Sequence, residues 1–477
     1  MKFTFAKGYI EQAPAAYTRI RLVEEARGTK RVVREGDITW LEIGAGKGSE
    51  MNRRKFILLC RAIVRTAREF KAKKIALQFD KTPQLFKNLQ DWSPEEISVT
   101  AATAYEMANY EHNAYKTAPK AGWCEVEEIR FSGLSYKSIE EAAKRGQIIG
   151  QMVNATRELS NTPGGDMTPK ILAAAAKAAV KGTSAKVSVL GRKEMEKVGM
   201  GAVLGIAKGS AEEPQFIVME YWGGGKKEQP VVFCGKGVTF DTGGLNIKPG
   251  EHMYEMHMDM SGGAAVMHAV VIAAKLKLKA NVIALVPAVE NSPGQNALRP
   301  GDILKSLSGK TIEILNTDAE GRVILADAIA YAKRYNPKIV VDVATLTGPS
   351  VFGQQASSVM MSDTNPKAIM EMFDMAESSG DYMWPLPLWE EFDYIVKGRF
   401  GDVPNIPAEG NSRWAGVIAG GKFLEVFAKD LACPWMHIDM GSRMTSAPNE
   451  FLAKGAAGAP VRFLLALIEK HAKRSAR

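Results

Sequence analysis

The sequence is poor in the residues that most often carry hydrolytic or metal chemistry. It holds only six histidines and four cysteines in 477 residues. No His-Glu-x-x-His occurs, which excludes the helix-borne zinc site that this pattern builds. No Gly-x-Ser-x-Gly occurs, which leaves a serine hydrolase of the nucleophile-elbow type without support. Cys60, Cys124, Cys234 and Cys433 are scattered and form no Cys-x-x-Cys. A structural zinc ribbon is therefore not expected, and the thiols read as reduced, in a reducing compartment. No apolar run approaches the roughly 18 residues of a membrane span. The segment Met1-Lys-Phe-Thr-Phe-Ala-Lys-Gly8 lacks the apolar core of a secretory signal, and Glu11, Glu24 and Glu25 argue against a transit peptide. A cytosolic location with no membrane partner is expected. Internal repeats and low-complexity tracts are absent as well.

What is present is the balance of a globular protein, with 46% hydrophobic and 24% charged residues. The length suggests two or three domains and is enough to bury a large core. Charge is uneven. Residues 1–138 hold 24 Lys+Arg against 17 Asp+Glu, a balance of +7, and the remainder holds 38 against 36, a balance of +2. Runs such as Arg27-Gly-Thr-Lys-Arg-Val-Val-Arg34 are either a solvated basic face or a contact for nucleic acid or another polyanion. No helix-turn-helix or RNA-binding signature sharpens the second reading.

Patterning divides the chain at 1–138, 139–160 and 161–477. The first part reads as a small α/β domain: strands at Ile38–Ile43 and Lys74–Phe79, a helix over Lys55–Phe70, and a helix start at Ser93-Pro-Glu-Glu96. Within it Gly44-Ala-Gly-Lys-Gly-Ser49 looks like a phosphate loop but fails, because position 41 is Leu and position 48 is Gly; as a dinucleotide fingerprint it fails at Ser49. Residues 136–160 form one long helical pattern that ends at Asn161-Thr-Pro-Gly-Gly165 and links the two domains. Beyond it, strand-like segments (Lys186–Leu190, Phe216–Met219, Val231–Cys234, Ala280–Val286, Ile339–Val343) alternate with helical ones (Thr168–Val180, Ser261–Leu276, Arg322–Arg334, Ala368–Glu377), and Pro460–His471 closes the chain. The fold class expected is α/β: a smaller N-terminal α/β domain and a larger C-terminal one, whose mixed, largely parallel sheet is sandwiched by helices.

In such sheets ligands bind at the carboxyl ends of strands, and the chemistry-bearing residues fall there. After Val231–Cys234 comes the glycine-rich, loop-like stretch 235–249 with Lys236, Asp241 and Lys248. Met256-His-Met-Asp-Met-Ser-Gly-Gly263 sets Asp259 just before a helix. Beyond the strand-like Thr311–Leu315, Asn316-Thr-Asp-Ala-Glu-Gly-Arg322 sets Asp318 and Glu320 at the start of another. An Asp-x-Glu before a helix is ordinary capping chemistry. Four acids at three such junctions exceed what capping requires. Charges avoid interior turns unless something neutralises them, and two divalent cations would.

Asn316-Thr-Asp-Ala-Glu-Gly-Arg322 resembles the signature of the leucyl aminopeptidase (cytosol aminopeptidase) family, the M17 metallopeptidases. The resemblance covers about residues 140–477 and includes the Lys-Gly-x-Thr-Phe-Asp segment, Asp259-Met-Ser-Gly-Gly, Arg299-Pro-Gly-Asp302, Ser308-Gly-Lys-Thr311, Asp342-Val-Ala-Thr-Leu-Thr-Gly348 and Gly458-Ala-Pro-Val-Arg462. It implies a hydrolase, a metal-dependent aminopeptidase that releases N-terminal leucine and similar apolar residues from peptides through a metal-bridged hydroxide. It implies two divalent ions (Zn²⁺ or Mn²⁺, with Mg²⁺ or Co²⁺ as further candidates) that share Asp241 and Glu320. One site adds Asp318; the other adds Lys236 and Asp259, the lysine as a neutral amine. Lys248 is implied as the oxyanion cation, and Arg322 as the seat of a bicarbonate acting as general base. Met256, Thr345, Gly348 and Gly441 would line the substrate pocket, and the Leu346 carbonyl would receive the substrate amine. Gly441 stands where many relatives have Ala, which would widen the pocket, and the 410–416 stretch departs from the family's small-residue run. His252 and His257 are not implied as ligands. The resemblance also implies a homohexamer of two stacked trimers and, from some bacterial relatives, an accessory role in DNA binding.

Overall fold

The computed structural model describes residues 1–78, 89, 92–133, 136–225, 227–353, 355–362, 366–407 and 416–472. All of the 410–416 stretch except Gly416 lies outside them. The chain divides into two compact units, Met1–Asn154 with Ala447–Lys454, and Ala155–Ser446 with Gly455–Arg477. A single helix, Lys137–Asn161, contains the division.

The first unit is built on a six-stranded sheet of β1 (Lys2–Ala6), β2 (Thr18–Val23), β3 (Lys30–Glu35), β4 (Ile38–Gly44), β5 (Lys74–Gln78) and β6 (Glu128–Ser132), in the order β1-β6-β5-β2-β4-β3. Only β3 runs antiparallel to its neighbour. The helix Arg53–Glu69 starts on Asn52, whose side chain accepts the Lys55 N–H. The helix Pro94–Asn109 starts on a full capping box between Ser93 and Glu96. Three cations of this unit are paired with carboxylates across its sheet and first helix. Arg21 pairs with Glu35 at 2.7 Å and Glu42 at 2.6 Å; Arg31 pairs with Glu25 and Glu42, both at 2.7 Å; Lys30 pairs with Glu69. These pairs leave the net balance unchanged, and no feature of the described residues adds support to the polyanion reading.

The second unit holds the larger sheet. Its strands are β7 (Lys186–Leu190), β8 (Gln215–Trp222), β9 (Val231–Gly235), β10 (Gly237–Asp241), β11 (Asn281–Asn291), β14 (Ile339–Ala344), β15 (Ser358–Ser362), β16 (Met383–Pro385) and β18 (Trp435–Asp439). The order is β16-β15-β18-β14-β9-β11-β8-β7, with β10 beside β11. β9, β10, β11, β14 and β18 all run parallel. A separate three-stranded sheet joins β12 (Ile303–Lys305), β13 (Thr311–Glu313) and β17 (Val403–Pro404). The strand-like run Thr311–Leu315 of the sequence forms β13 over Thr311–Glu313, in this small sheet and not in the main one. The stretch 235–249 also differs from the loop expected of it. Its glycines permit β10, because a Cβ on Gly237 would lie 2.8 Å from the Pro287 carbonyl oxygen.

Two helices cover the centre of the sheet. Val232 and Cys234 of β9, Ile283 and Leu285 of β11 and Val340 of β14 form one buried cluster with Val323, Ile324 and Leu325 of the helix Glu320–Ala332. The helix Ser261–Lys275 packs against the same three strands but contributes nothing to that cluster, so it covers the other face. Both helices are buried on nearly every side, which explains why their sequences are apolar almost without interruption. No helix among the described residues is long and apolar enough to cross a membrane.

His268, on the helix Ser261–Lys275, is fully buried, with its Nδ1 2.9 Å from the Ala264 carbonyl oxygen and 3.0 Å from Thr156 Oγ1. Burial pulls its pKa down to about 4. The unfolded chain therefore binds the proton first, and stability falls as pH drops from the unfolded value through about 4. The contribution at stake is about 3 kcal/mol at most. His268→Gln is expected to flatten this acid limb in denaturant titrations between pH 7 and about 4; an unchanged limb would show that other groups set it.

Candidate metal centre and substrate cavity

The site is assembled where the parallel strands end. Lys236 follows β9, Asp241 ends β10, Thr345 follows β14 and Asp439 ends β18. Asp259 precedes the helix Ser261–Lys275, and Glu320 begins the helix Glu320–Ala332. One oxygen each of Asp241, Asp259 and Glu320 lies within 4.8 Å of the others, and all three residues are buried. Lys236 Nζ lies 2.8 Å from Asp259 Oδ2, 2.8 Å from Glu320 Oε1 and 3.0 Å from the Thr345 carbonyl oxygen. Lys248 Nζ lies 2.9 Å from Asp241 Oδ2 and 2.6 Å from Asp318 Oδ1.

The glycine of Glu320-Gly321-Arg322 now has a physical reason. A Cβ there would lie 2.5 Å from Lys236 Cε and 2.7 Å from its Nζ, so the lysine crosses the start of the helix only because residue 321 has no side chain. Gly243 is held in the left-handed region at φ 86°, and its missing Cβ would sit 2.9 Å from Asp318 Oδ1. Supporting polar groups fix the acids. Asp241 Oδ1 accepts from Gly243 N and Asn291 Nδ2, both at 2.8 Å, and Asn291 Nδ2 also donates to the Thr317 carbonyl. Thr345 Oγ1 donates to Asp259 Oδ1 at 2.6 Å.

Four carboxylates thus face two ammonium groups. Burial and the charges of Glu320 and Asp259 push Asp241 well above the usual carboxylate range. Burial raises Asp259 to about 6, against the pull of Lys236, and raises Asp318, with Glu320 adding to it. Burial also opposes the charge of Glu320, but the ammonium groups of Lys236 and Lys248 outweigh it and hold its pKa below the ordinary value. Both lysines stay charged: burial opposes them, and the surrounding acids outweigh it. Asp259 Oδ2, Asp318 Oδ1 and Glu320 Oε1 are buried with a lysine ammonium group as their close polar neighbour. Four carboxylates against two ammonium groups leave an oxygen-rich cage with excess negative charge, a donor set that fits divalent cations. Neither His252, exposed on the short helix Gly250–Met253, nor His257 joins the metal-ligating group among the described residues.

Arg322 is buried as the third residue of the helix Glu320–Ala332. Its Nη1 donates to the Asn405 carbonyl oxygen at 2.9 Å, and its Nε has no hydrogen-bond partner among the described residues. Burial lowers its pKa to about 10, with Glu320 and Asp439 opposing.

A cavity of about 710 Å³ opens over the cluster. Lys236, Lys248, the four acids, Met256, Thr345, Leu346, Gly348 and Gly441 all line it, so the structure brings these sequence-predicted residues together. Arg322 is not in the lining. Met444, Thr445, Gln355 and Tyr254 are in the lining, and nothing in their sequence pattern announces them. Gly441 lines the cavity and also makes a close contact beneath it. A methyl there would lie 2.6 Å from Ser350 Oγ and 2.9 Å from the Thr347 carbonyl oxygen, so glycine makes room for Ser350, whose Oγ donates to that carbonyl at 2.7 Å. Gly441→Ala is expected to destabilise the fold by about 1–3 kcal/mol in denaturant titrations, and Ser350→Ala to recover part of that loss, a coupling of about 0.5–3 kcal/mol in a double-mutant cycle. Strict additivity would place Ser350 outside the effect.

The residues that build this cage lie within a stretch, 154–465, that matches the family model described as "Cytosol aminopeptidase family, catalytic domain". The chain belongs to the cytosol aminopeptidase family. Relatives of that family agree. A "Probable cytosol aminopeptidase" from Aromatoleum aromaticum is 45% identical over 329 residues, 69% of this chain and 64% of the relative. One from Nitrosomonas europaea is 38% identical over 441 residues, 90% of this chain and 85% of the relative. The chain thus spans less than two thirds of the length of the Aromatoleum relative and 63% of one from Azoarcus. In fold, it is similar to the solved structure of the bottromycin maturation enzyme BotP, with a TM-score of 0.84 at 24% identity, over 95% of this chain and 99% of that one. Family membership brings divalent metal ions with it, and the acidic cluster is compatible with them.

Proposed function

We propose that the protein is a metal-dependent aminopeptidase that removes N-terminal residues, leucine and similar apolar ones foremost, from peptides. The observation that carries the reading is the buried cage of Asp241, Asp259 and Glu320 at the floor of the cavity, with Lys236, Lys248 and Asp318 around it. Lys236, Asp241, Asp259, Asp318 and Glu320 would hold two divalent ions, Zn²⁺ or Mn²⁺ by preference, with Asp241 and Glu320 shared. When bound, the ions supply Lewis acidity toward a peptide carbonyl and lower the pKa of a water.

The remaining work falls to the chain. Met256, Thr345, Gly348 and Gly441 enclose the first side chain, and a methionine-bearing, largely apolar wall suits leucine or methionine. The backbone carbonyl of Leu346 accepts a hydrogen bond from the free amino terminus, which restricts cleavage to the first residue. Lys248 holds its ammonium group toward the developing oxyanion, in a site where water competes poorly. Arg322, buried at a helix start with an unpartnered Nε, seats a small anion, bicarbonate in this reading, that takes up a proton. A homohexamer acting on peptides is the assembly that accompanies the reading.

Hydrolysis of leucinamide tests it. Activity should vanish after chelation, return with Mn²⁺ or Zn²⁺, and fail on N-acetyl-leucinamide. Metal-loaded protein that hydrolyses no aminoacyl amide would sink the proposal.

A further inference from the structure

Asp439 ends β18, and the sequence pattern assigns it no part in the chemistry. It is completely buried. A carboxylate in that position is costly unless hydrogen bonds or a counter-charge hold it. Among the described residues no ion pair reaches it; Arg322 and His437 act on it only as more distant charges. Its bonds go to the substrate cavity. Oδ1 accepts from Leu346 N at 3.1 Å and from Gly441 N at 3.0 Å, and Oδ2 accepts from Thr347 Oγ1 at 2.6 Å. All three donors belong to residues that line the cavity.

The sheet makes this reach possible. β14 and β18 are parallel neighbours in which Ala344 stands opposite Asp439. The Asp439 side chain therefore extends past the strand ends to the residues that follow Ala344. The segment 345–348 is gripped at both ends. Thr345 is tied to the acidic cage through Asp259 and Lys236, and Leu346 and Thr347 are tied to Asp439. Ser350 Oγ secures the Thr347 carbonyl oxygen. A peptide unit whose N–H is fixed also has its neighbouring carbonyls aimed, and carboxylate acceptors make the stronger hydrogen bonds.

We propose that Asp439 is a positioning residue: it fixes Leu346–Gly348 and Gly441 in the geometry that receives the amino terminus and first side chain of the substrate. The inference rests on the aminopeptidase reading of the cavity. It separates two properties of the carboxylate, its acceptor geometry and its charge. Asn at this position keeps an oxygen for Leu346 N and Gly441 N, and its amide can donate to the Thr347 hydroxyl. Ala keeps none of these.

The test uses the full-length, Mn²⁺-loaded protein with leucine p-nitroanilide, alongside hydrogen exchange followed by mass spectrometry. Asp439→Ala is expected to raise KM by about 10–100-fold with a smaller change in kcat. Bound manganese should stay at the wild-type level, and the amides of 345–349 should lose exchange protection. Asp439→Asn should restore KM to within about threefold of wild type, the size of change expected when a hydrogen bond is kept in altered form. Thr347→Val, which deletes one of the three bonds and disturbs folding least, should give an intermediate KM. An Asp439→Ala protein with unchanged KM and unchanged protection would overturn the proposal; so would an Asp439→Asn protein as impaired as Asp439→Ala, since charge would then matter and not geometry. A wild-type protein inactive on leucine p-nitroanilide, yet losing protection on Asp439→Ala, would remove the aminopeptidase reading and leave the anchor in place.

Discussion

Lys248→Ala is expected to lower kcat by about 10²–10³-fold while bound metal stays in place, the loss typical of one donor to a developing oxyanion. The sign of the metal effect is the sharper half. Lys248 Nζ lies 2.9 and 2.6 Å from Asp241 and Asp318, a cation beside the proposed ligands and not one of them. Removing it takes no donor from the cage, so metal occupancy should hold. The acids around it raise its pKa against the opposing effect of burial, which favours the ammonium form. Metal analysis beside single-turnover rates decides the matter. A Lys248→Ala protein that loses metal in proportion to activity would make the lysine a structural member of the cage.

Glu320→Gln should have the largest effect, an activity loss of at least about 10³-fold, because it strikes metal binding itself. One carboxylate oxygen of Glu320 lies in the cage with Asp241 and Asp259, and Glu320 is a residue proposed to serve both ions. A neutral amide offers one weak donor atom where a carboxylate offers two, so binding of both ions should weaken and less than the wild-type two per chain should remain after dialysis. The same logic predicts the thermal behaviour. Cations that bind only the folded chain stabilise it by about 2.7 kcal/mol per site at a hundred times Kd. Wild-type protein should therefore melt higher with Mn²⁺ than with chelator, and Glu320→Gln should show little of that gap. Full metal occupancy in Glu320→Gln would remove Glu320 from the shared position.

How far the sequence alone led depends on the kind of interaction. The acids at the junctions were legible because charge at a buried turn is expensive and four of them together need a cation. The helices Ser261–Lys275 and Glu320–Ala332 were legible as apolar runs with caps or acids at their starts. β10 was not, because Gly235 ending β9 and Gly237 opening β10 give the junction the composition of a loop; the glycines are there because Gly263 Cα and the Pro287 carbonyl leave no room for a Cβ. The small β12-β13-β17 sheet was missed because its strands are two or three residues long and are joined by a partner about ninety residues away.

Asp439 was missed for another reason. Trp435-Met-His-Ile-Asp439 carries polar groups at alternate positions of an otherwise apolar strand, and one face of that strand is lined with them. Asp342, which stands opposite His437 in the register, accepts from Trp435 Nε1 at 2.8 Å and pairs with the His437 ring. A period-two polar pattern inside a buried strand was the available signal. Its meaning depends on which strand lies alongside, and that is a property of the sheet order. The Gly441 outcome is similar: the sequence shows a missing methyl, and only the position of Ser350 Oγ says where the methyl would have gone.

The most direct test of the account is an anomalous difference map, recorded at the manganese edge, from crystals of the full-length protein equilibrated with Mn²⁺. The account predicts two peaks enclosed by Lys236, Asp241, Asp259, Asp318 and Glu320, with Asp241 and Glu320 touching both. A single peak, or density that leaves those five side chains in their lysine–carboxylate pairs, would contradict it.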